Sequence, residues 1–102
     1  MHELDKLWQQ QIDYNNKIRA REFPDDKLYW SKQYLLGVFG ETGEVLDELS
    51  WKAHRKGHPI NRSNLARELA DMQKYMISLW EINDFTADDM LSYVAAKGQE
   101  LE

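Results

Sequence analysis

Apolar residues recur at helical spacing along four stretches of the chain, and prolines separate the first three. Pro24 and Pro59 stand in polar or small-residue surroundings, where a proline marks a break between helices. The predicted helices cover about residues 3–20, Asp25 or Asp26 to Arg55 or Lys56, Asn61 to the turn at 83–85, and Thr86 to about Leu101. No strand pattern competes, so we expect an all-α fold, a four-helix bundle with short connections.

Polar residues at the predicted helix starts are suited to cap them. Asp26, or the aspartate before it, precedes the second helix, and Asn61 precedes the third. Thr86, with Asp89 three residues later, resembles a capping box for the fourth. Gly57 suits a left-handed cap, so the second helix is expected to end just before it.

The first two helices each carry an apolar stripe that we expect to face a core. The first stripe consists of Leu4, Leu7, Trp8, Ile12, Tyr14 and Ile18, and the second of Leu28, Leu35, Phe39, Leu46, Leu49 and Ala53. The opposite face of the second helix carries Trp30, Tyr34 and Trp51 together with acidic residues. A merely solvated face would not hold three large aromatics, so a substrate, another helix or a second subunit should cover it.

The composition limits the function classes. The 102 residues suit one domain, 1–102, and the net charge of −5 disfavours broad binding of nucleic acid. Cysteine is missing, which excludes disulfides, thiol nucleophiles and cysteine-bound zinc and is compatible with an expected cytoplasmic location. The longest apolar run is far below the roughly 20 residues of a membrane span. Residues 1–6 show no secretory pattern, so we expect a soluble protein without a membrane partner.

Acidic pairs three residues apart are the strongest chemical signal. Five occur: Glu22/Asp25, Glu41/Glu44, Glu44/Asp47, Glu68/Asp71 and Glu81/Asp84. Glu41/Glu44 and Glu68/Asp71 lie inside the predicted helices, where like charges three residues apart cost about 0.2–0.5 kcal/mol unless a cation lies between them. Oxygen ligands alone would select Mg²⁺ or Mn²⁺. A solvated acidic face is the alternative, and we expect the Glu81/Asp84 pair to be of that kind.

Two further features have both an ordinary and a functional interpretation. The basic segment from Lys52 to Lys56, which includes Arg55, is ordinary near a helix C-terminus, where cations complement the dipole. The same charges would suit triphosphate oxygens. Tyr75 follows Asp71 by one turn and is either a residue at the core boundary or a ligand contact.

Two motifs on successive helices resemble a known family. Gly40-Glu41-Thr42-Gly43-Glu44 and Glu68-Leu69-Ala70-Asp71 are similar to the ExxE and ExxD signature of the MazG-like all-α nucleoside triphosphate pyrophosphohydrolases. The resemblance covers about residues 28–97. Trp51-Lys52 and the spacing from Asp71 to Tyr75 look most like the single-domain dCTP pyrophosphatase branch. Residues 8–13 resemble the dimeric dUTPases of the same superfamily.

The resemblance implies specific roles. It implies that Glu41, Glu44, Glu68 and Asp71 hold Mg²⁺, with Mn²⁺ as a substitute. It also implies that Trp51 and Tyr75 border the nucleotide and that Lys97 reaches phosphate. Lys52 and Arg55, from the basic segment, complete the expected substrate contacts. Relatives often follow that last lysine with an Asn and an Arg that reach phosphate. Here Lys97 is followed by Gly98-Gln99-Glu100, so those two contacts are missing or come from elsewhere.

The expected activity is Mg²⁺-dependent cleavage of a (d)NTP to the (d)NMP and pyrophosphate, in house-cleaning of the nucleotide pool. Glu41, Glu44 or Glu48 could be the base, and Glu41 is favoured. A catalytically silent helical interaction domain, docking through Trp30, Tyr34 and Trp51, is one alternative. A pyrophosphohydrolase of another pyrophosphate-containing metabolite is the second. Because a small domain leaves apolar surface exposed, we expect a homodimer or homotetramer.

Overall fold

The structure, a computed structural model, describes residues 2–22, 26–49 and 60–100. These ranges contain four helices and no strand: α1 (His2–Arg19), α2 (Lys27–Glu48), α3 (Arg62–Ile82) and α4 (Ala87–Glu100). The all-α, four-helix prediction is therefore confirmed. None of the helices in these ranges is both long and apolar enough to cross a membrane.

The caps that start the last three helices are those the sequence predicts. The Asp26 side chain accepts from the Tyr29 backbone N–H at 2.8 Å. Asn61 accepts from the Asn64 N–H at 3.1 Å. Thr86 and Asp89 exchange two hydrogen bonds, Thr86 N–H to Asp89 Oδ2 at 2.9 Å and Asp89 N–H to Thr86 Oγ1 at 3.1 Å. Short polar side chains thus satisfy N–H groups that the first turn of each helix leaves free.

The end of α2 was predicted too late. The helix ends at Glu48, and Leu49 leaves the helical conformation with a ψ of 0°. No glycine or proline marks this position in the sequence, and the apolar spacing continues past it, so periodicity alone could not locate the end. The expected continuation to Arg55 or Lys56, the Gly57 cap and Pro59 lie outside the described residues.

Helix α3 is the centre of the packing, since α2 packs against it most extensively and α1 also contacts it. Two small core clusters hold the helices together. Trp8, Ile77 and Ala87 join α1, α3 and α4, while Trp30, Tyr34 and Ile82 join α2 to the end of α3. Aromatic rings supply much of this buried surface, which explains why so short a chain can form two clusters.

The apolar stripe predicted for the core on α2 is wrong. Leu28, Leu35, Phe39, Leu46 and Leu49 are exposed, with Phe39 at 69%, whereas Trp30 and Tyr34 are buried. The face predicted to be covered by a ligand, another helix or a second subunit is therefore the one that packs on α3. Bulky rings bury more apolar surface per residue than leucines, so the aromatic face goes inward.

The stripe predicted on α1 is confirmed in part. Trp8 is buried and Leu4 and Ile12 pack against its cluster, whereas Leu7, Tyr14 and Ile18 are exposed. After Trp8 the buried residues follow helical spacing through Gln11, Asn15 and Arg19. This part of the inward face of α1 is thus polar, and it borders the cavity described next.

Candidate active site

Three of the four predicted ligands form one carboxylate group between α2 and α3. Glu41 and Glu44 come from adjacent positions on the α2 surface, and Glu68 faces them from α3. One oxygen from each lies within 4.8 Å of the others. Glu41 and Glu68 are half-buried and Glu44 is exposed. The paired motifs therefore meet in space although they are separated by about a quarter of the chain.

The carboxylate group combines buried oxygens without hydrogen-bond partners and mutual repulsion, both of which a bound cation would relieve. The Oε2 atoms of Glu41 and Glu68 are buried and have no hydrogen-bond partner among the described residues. A hydrogen bond with Glu68, and the charge of Glu68, raise the pKa of Glu44, and the charges of Asp71 and Asp47 add to this. Mutual repulsion that favours protonation is relieved by an ion with oxygen ligands. This donor set fits Mg²⁺ or Mn²⁺.

Asp71 lies beside this group rather than within it. It is exposed, and its carboxylate is not one of the three that converge. Its charge nevertheless acts on Glu44, and it lines the same cavity as Glu41. Asp71 thus faces the cavity at the edge of the carboxylate group.

A cavity of about 650 Å³ extends from the carboxylates to the polar face of α1. Glu41 and Asp71 line it on one side, and Gln11 and Asn15 from α1 line it on another. Lys74 is the one cationic side chain among its described lining residues. The volume is within the range of cavities that hold small organic ligands and cofactors.

Tyr75 lines the cavity because α2 has a glycine beneath it. A Cβ placed on Gly37 would lie 2.5 Å from the Cδ1 and Cε1 atoms of the Tyr75 ring. Such a distance is far below van der Waals contact, so only glycine lets the ring lie directly against the helix. Tyr75 was expected to be either a boundary residue or a ligand contact, and its place in the cavity wall is compatible with the second role.

A chain of side-chain hydrogen bonds lies behind the α1 wall of the cavity. Gln11 Nε2 donates to Asn15 Oδ1 at 3.0 Å. Asn15 Nδ2 donates to Ser78 Oγ at 2.8 Å and to Glu81 Oε1 at 3.5 Å. Ser78 Oγ in turn donates to the Lys74 backbone carbonyl at 2.8 Å. Gln11, Asn15 and Ser78 are all buried, so this network fixes the polar groups that the cavity presents.

Glu81 ends this network, and its prediction as a solvent-facing residue is wrong. Its side chain is 9% exposed and pairs with Arg19, 8% exposed, at 2.6 Å. Arg19 also donates to the Tyr34 hydroxyl at 3.2 Å. Burial opposes the charge of Arg19, but the hydrogen bond and the charge of Glu81 outweigh it and raise the pKa of Arg19. Only Asp84 of the predicted pair is exposed, and it pairs with Lys27.

Burial and the nearby charges also act on Tyr34. Burial raises the pKa of the Tyr34 hydroxyl, which Arg19 partly offsets. The hydroxyl therefore stays protonated in neutral solution, and its oxygen accepts the hydrogen bond from Arg19. The neutral phenol lines the cavity without adding charge to it.

Of the remaining predicted substrate contacts, the structure describes only Lys97. Lys97 pairs with Glu100 on α4 at 3.0 Å and is not among the lining residues. Trp51, Lys52 and Arg55 lie outside the described residues. The sequence analysis did not single out Asn15, Lys74 or Arg19, and it included Gln11 only within the 8–13 stretch that resembles the dimeric dUTPases. The available signal was the spacing of polar residues in register with Trp8 on α1.

Comparison with known proteins identifies the family. A family model described as dUTPase matches residues 3–99. The chain belongs to this family, which is MazG-like and all-helical, so the resemblance drawn from the two motifs is confirmed. Membership indicates a hydrolase that acts on nucleoside triphosphates. No curated protein and no solved structure matches the chain.

Proposed function

We propose that the protein is a Mg²⁺-dependent pyrophosphohydrolase that converts a (d)NTP to the (d)NMP and pyrophosphate, with Mn²⁺ as a substitute ion. The observation that carries the proposal is the meeting of Glu41, Glu44 and Glu68 beside a cavity of nucleotide-compatible size. The family supplies the substrate class. A role in cleansing the nucleotide pool follows from this activity.

In this proposal the carboxylates have two roles, metal binding and acceptance of a proton. Glu44, Glu68 and Asp71 would hold the ion together with Glu41, and the bound ion would neutralise triphosphate charge and acidify a water. Glu41 alone of the three converging carboxylates lines the cavity and has a buried free oxygen, so it is placed to accept the proton of the attacking water. The water oxygen bonds to the α-phosphorus, and the bond to the bridging oxygen of pyrophosphate breaks.

The polar end of the cavity, at Gln11 and Asn15, suits the nucleobase of the substrate. Both Nδ2 hydrogens of Asn15 are used by Ser78 and Glu81, and its oxygen is used by Gln11. Gln11 retains one N–H and its own carbonyl oxygen. An amide of this kind matches a base edge that offers one donor beside one acceptor, as uracil and cytosine do.

Lys74 supplies a candidate phosphate contact. Its ammonium group has no carboxylate partner within the described ranges, whereas Arg19, Lys27 and Lys97 all have one. A free cation in an acidic cavity attracts phosphate oxygens. This residue can replace a contact that relatives make from the C-terminus.

Product analysis tests the activity. The purified protein is incubated with dUTP, dCTP and the other dNTPs and NTPs, with Mg²⁺, with Mn²⁺ and with chelator. Pyrophosphate and monophosphate should form only with the metal, and ¹⁸O from labelled water should appear in the monophosphate. Release of orthophosphate and a diphosphate would contradict attack at the α-phosphorus.

The same preparation distinguishes the alternatives. A silent docking domain should gain no thermal stability from Mg²⁺ with a nonhydrolysable nucleotide, whereas the enzyme should. The docking face proposed for that alternative is also weakened, because Trp30 and Tyr34 are buried against α3. A pyrophosphohydrolase of another metabolite would cleave none of the nucleotides.

Self-association is part of the proposal. Leu35, Phe39 and Leu46 share one side of α2 at helical spacing, and all three are exposed. A second copy would bury this exposed row in a homodimer, and two dimers could form a homotetramer.

A further inference from the structure

We infer that the buried Arg19–Glu81 ion pair sets base selectivity by fixing the orientation of the Asn15 and Gln11 amides. The inference rests on the proposed function, because it concerns how the cavity reads its substrate. Neither Arg19 nor Glu81 lines the cavity, so both act as positioning residues. The observation behind the inference is that each hydrogen bond between Glu81, Asn15 and Gln11 has a defined donor and a defined acceptor.

The direction starts at Glu81. An ionised carboxylate can only accept hydrogen bonds, so the Asn15 atom at 3.5 Å must be its nitrogen. Ser78 imposes the same constraint. Its hydroxyl hydrogen is donated to the Lys74 carbonyl, so its oxygen can only accept from Asn15 Nδ2, at 2.8 Å. Two acceptors on the same side hold the Asn15 amide in one orientation.

Asn15 passes the direction to Gln11. With its nitrogen toward α3, its oxygen accepts from Gln11 Nε2 at 3.0 Å. The Gln11 amide therefore cannot turn over without placing two oxygens against each other. As a result its carbonyl oxygen and second N–H occupy fixed positions in the cavity wall.

Arg19 keeps the first link in place. The Arg19 guanidinium donates to Glu81 Oε1 at 2.6 Å, and the same oxygen accepts from Asn15 Nδ2, so it is held at a fixed position facing the Asn15 amide. Arg19 is held in turn by Asn16 Oδ1 at 2.7 Å and by the Tyr34 hydroxyl.

Stability alone does not account for this arrangement. A buried ion pair adds little net stability, and well-packed apolar side chains of similar volume often serve as well. An apolar pair at these two positions, however, would leave Asn15 with one acceptor instead of two. The ion pair supplies a second acceptor that orients the Asn15 amide, and apolar side chains cannot supply one.

Base selectivity distinguishes a positioning role of Arg19 and Glu81 from a purely structural one, because a general loss of stability would not change the preference between two nucleotides. Replacing both members of the ion pair, Arg19→Met with Glu81→Met, removes one acceptor of Asn15 and leaves no unpaired charge. Glu81→Gln would not serve, because Arg19 would keep its oxygen facing both Arg19 and Asn15. Ser78→Ala removes the other acceptor of Asn15, and serves if the double variant fails to fold. Ala87→Gly, in the buried cluster at the start of α4, is a control destabilised away from the cavity. All are assayed for kcat and KM with dUTP and dCTP and for melting temperature.

The Arg19→Met/Glu81→Met double variant and Ser78→Ala should each raise the KM of the better substrate about tenfold, the worth of one hydrogen bond, with kcat changed far less. The ratio of kcat/KM between the two nucleotides should fall in both variants and remain at the parent value in Ala87→Gly. The side-chain ¹H–¹⁵N signals of Asn15 and Gln11 should shift in the double variant even without substrate.

Two failures can be told apart. An active parent whose variants keep the parental selectivity ratio and the parental amide signals would overturn the positioning role alone. A parent inactive on every nucleotide would overturn the proposed function and the role in base selectivity that depends on it. In that case the amide signals still report whether Glu81 orients Asn15.

Discussion

Replacing Gly37 with alanine tests whether the close contact between α2 and Tyr75 keeps that ring in the cavity wall. The added Cβ would lie 2.5 Å from two ring carbons and 2.7 Å from Cζ, so the ring or the helix must move by about 1 Å to reach ordinary contact. Gly40, one turn later on α2, is a matched control, because a Cβ there meets nothing within 4 Å.

The two substitutions share one effect and differ in the other. Alanine is favoured over glycine in a helix by about 1 kcal/mol, which both variants gain. Overpacking costs about 1–3 kcal/mol, which only Gly37→Ala incurs. Gly40→Ala is therefore expected to stabilise the protein by about 1 kcal/mol, and Gly37→Ala to be neutral or destabilising by up to about 2 kcal/mol.

Urea denaturation and thermal melting measure this difference, since 1 kcal/mol shifts the melting temperature of a domain this size by about 4–8 °C. Turnover of the best nucleotide is measured in parallel, and Gly37→Ala should lower kcat/KM because Tyr75 leaves its position. A Gly37→Ala protein as stable as Gly40→Ala, with parental kcat/KM, would refute the idea that Tyr75 depends on this glycine.

Three further predictions concern charge and assembly. Glu68→Gln and Asp71→Asn should each abolish turnover and the melting shift caused by Mg²⁺, while leaving the metal-free protein as stable as the parent or about 0.5 kcal/mol more so, in thermal melts with and without the ion. Lys74→Gln should raise the KM for the triphosphate about tenfold in steady-state assays, and added salt should narrow the difference. Phe39→Asp should convert an oligomer to monomers in light scattering, because it places a charge on the exposed α2 row.

Each of these has a control that the chain provides. Asp88→Asn, in the exposed first turn of α4, should keep turnover and the Mg²⁺ response. Lys32→Gln, exposed on α2 and not among the cavity residues, should leave KM unchanged. A parent that is already monomeric at micromolar concentration would contradict the assembly prediction. An Asp71→Asn protein with parental turnover would remove Asp71 from the site.

The sequence predicted local features, such as helix starts, better than contacts between residues that are far apart along the chain. Helix starts were found because a cap depends on residues three positions apart, as with Asn61 and Asn64. The carboxylate group was found because its members lie in pairs along two helices. Arg19 and Glu81 are 62 positions apart, and nothing in the spacing of either residue reveals the other.

The inward face of α2 shows why periodicity misled. Two stripes on that helix are apolar enough to be buried, and a single chain can bury only one of them against α3. Periodicity ranks stripes by how apolar they are and not by ring size, so it chose the Leu35 side over the Trp30 side. Polar residues in register with Trp8 on α1 were missed because burial of amides requires partners that only the fold supplies.

Helix α3 carries residues from both ends of the cavity, Asp71 beside the carboxylates and Ser78 beside the α1 amides. From Asp71 to Ser78 the helix rises about 10 Å, a distance fixed by backbone hydrogen bonds and not by any loop. Inserting or deleting one residue between them would turn one end by about 100° relative to the other, so substrate length cannot be adjusted in small steps. Under the proposed function, substitutions behind the α1 amides would change which base is read while the reacting phosphate stays in register with the carboxylates.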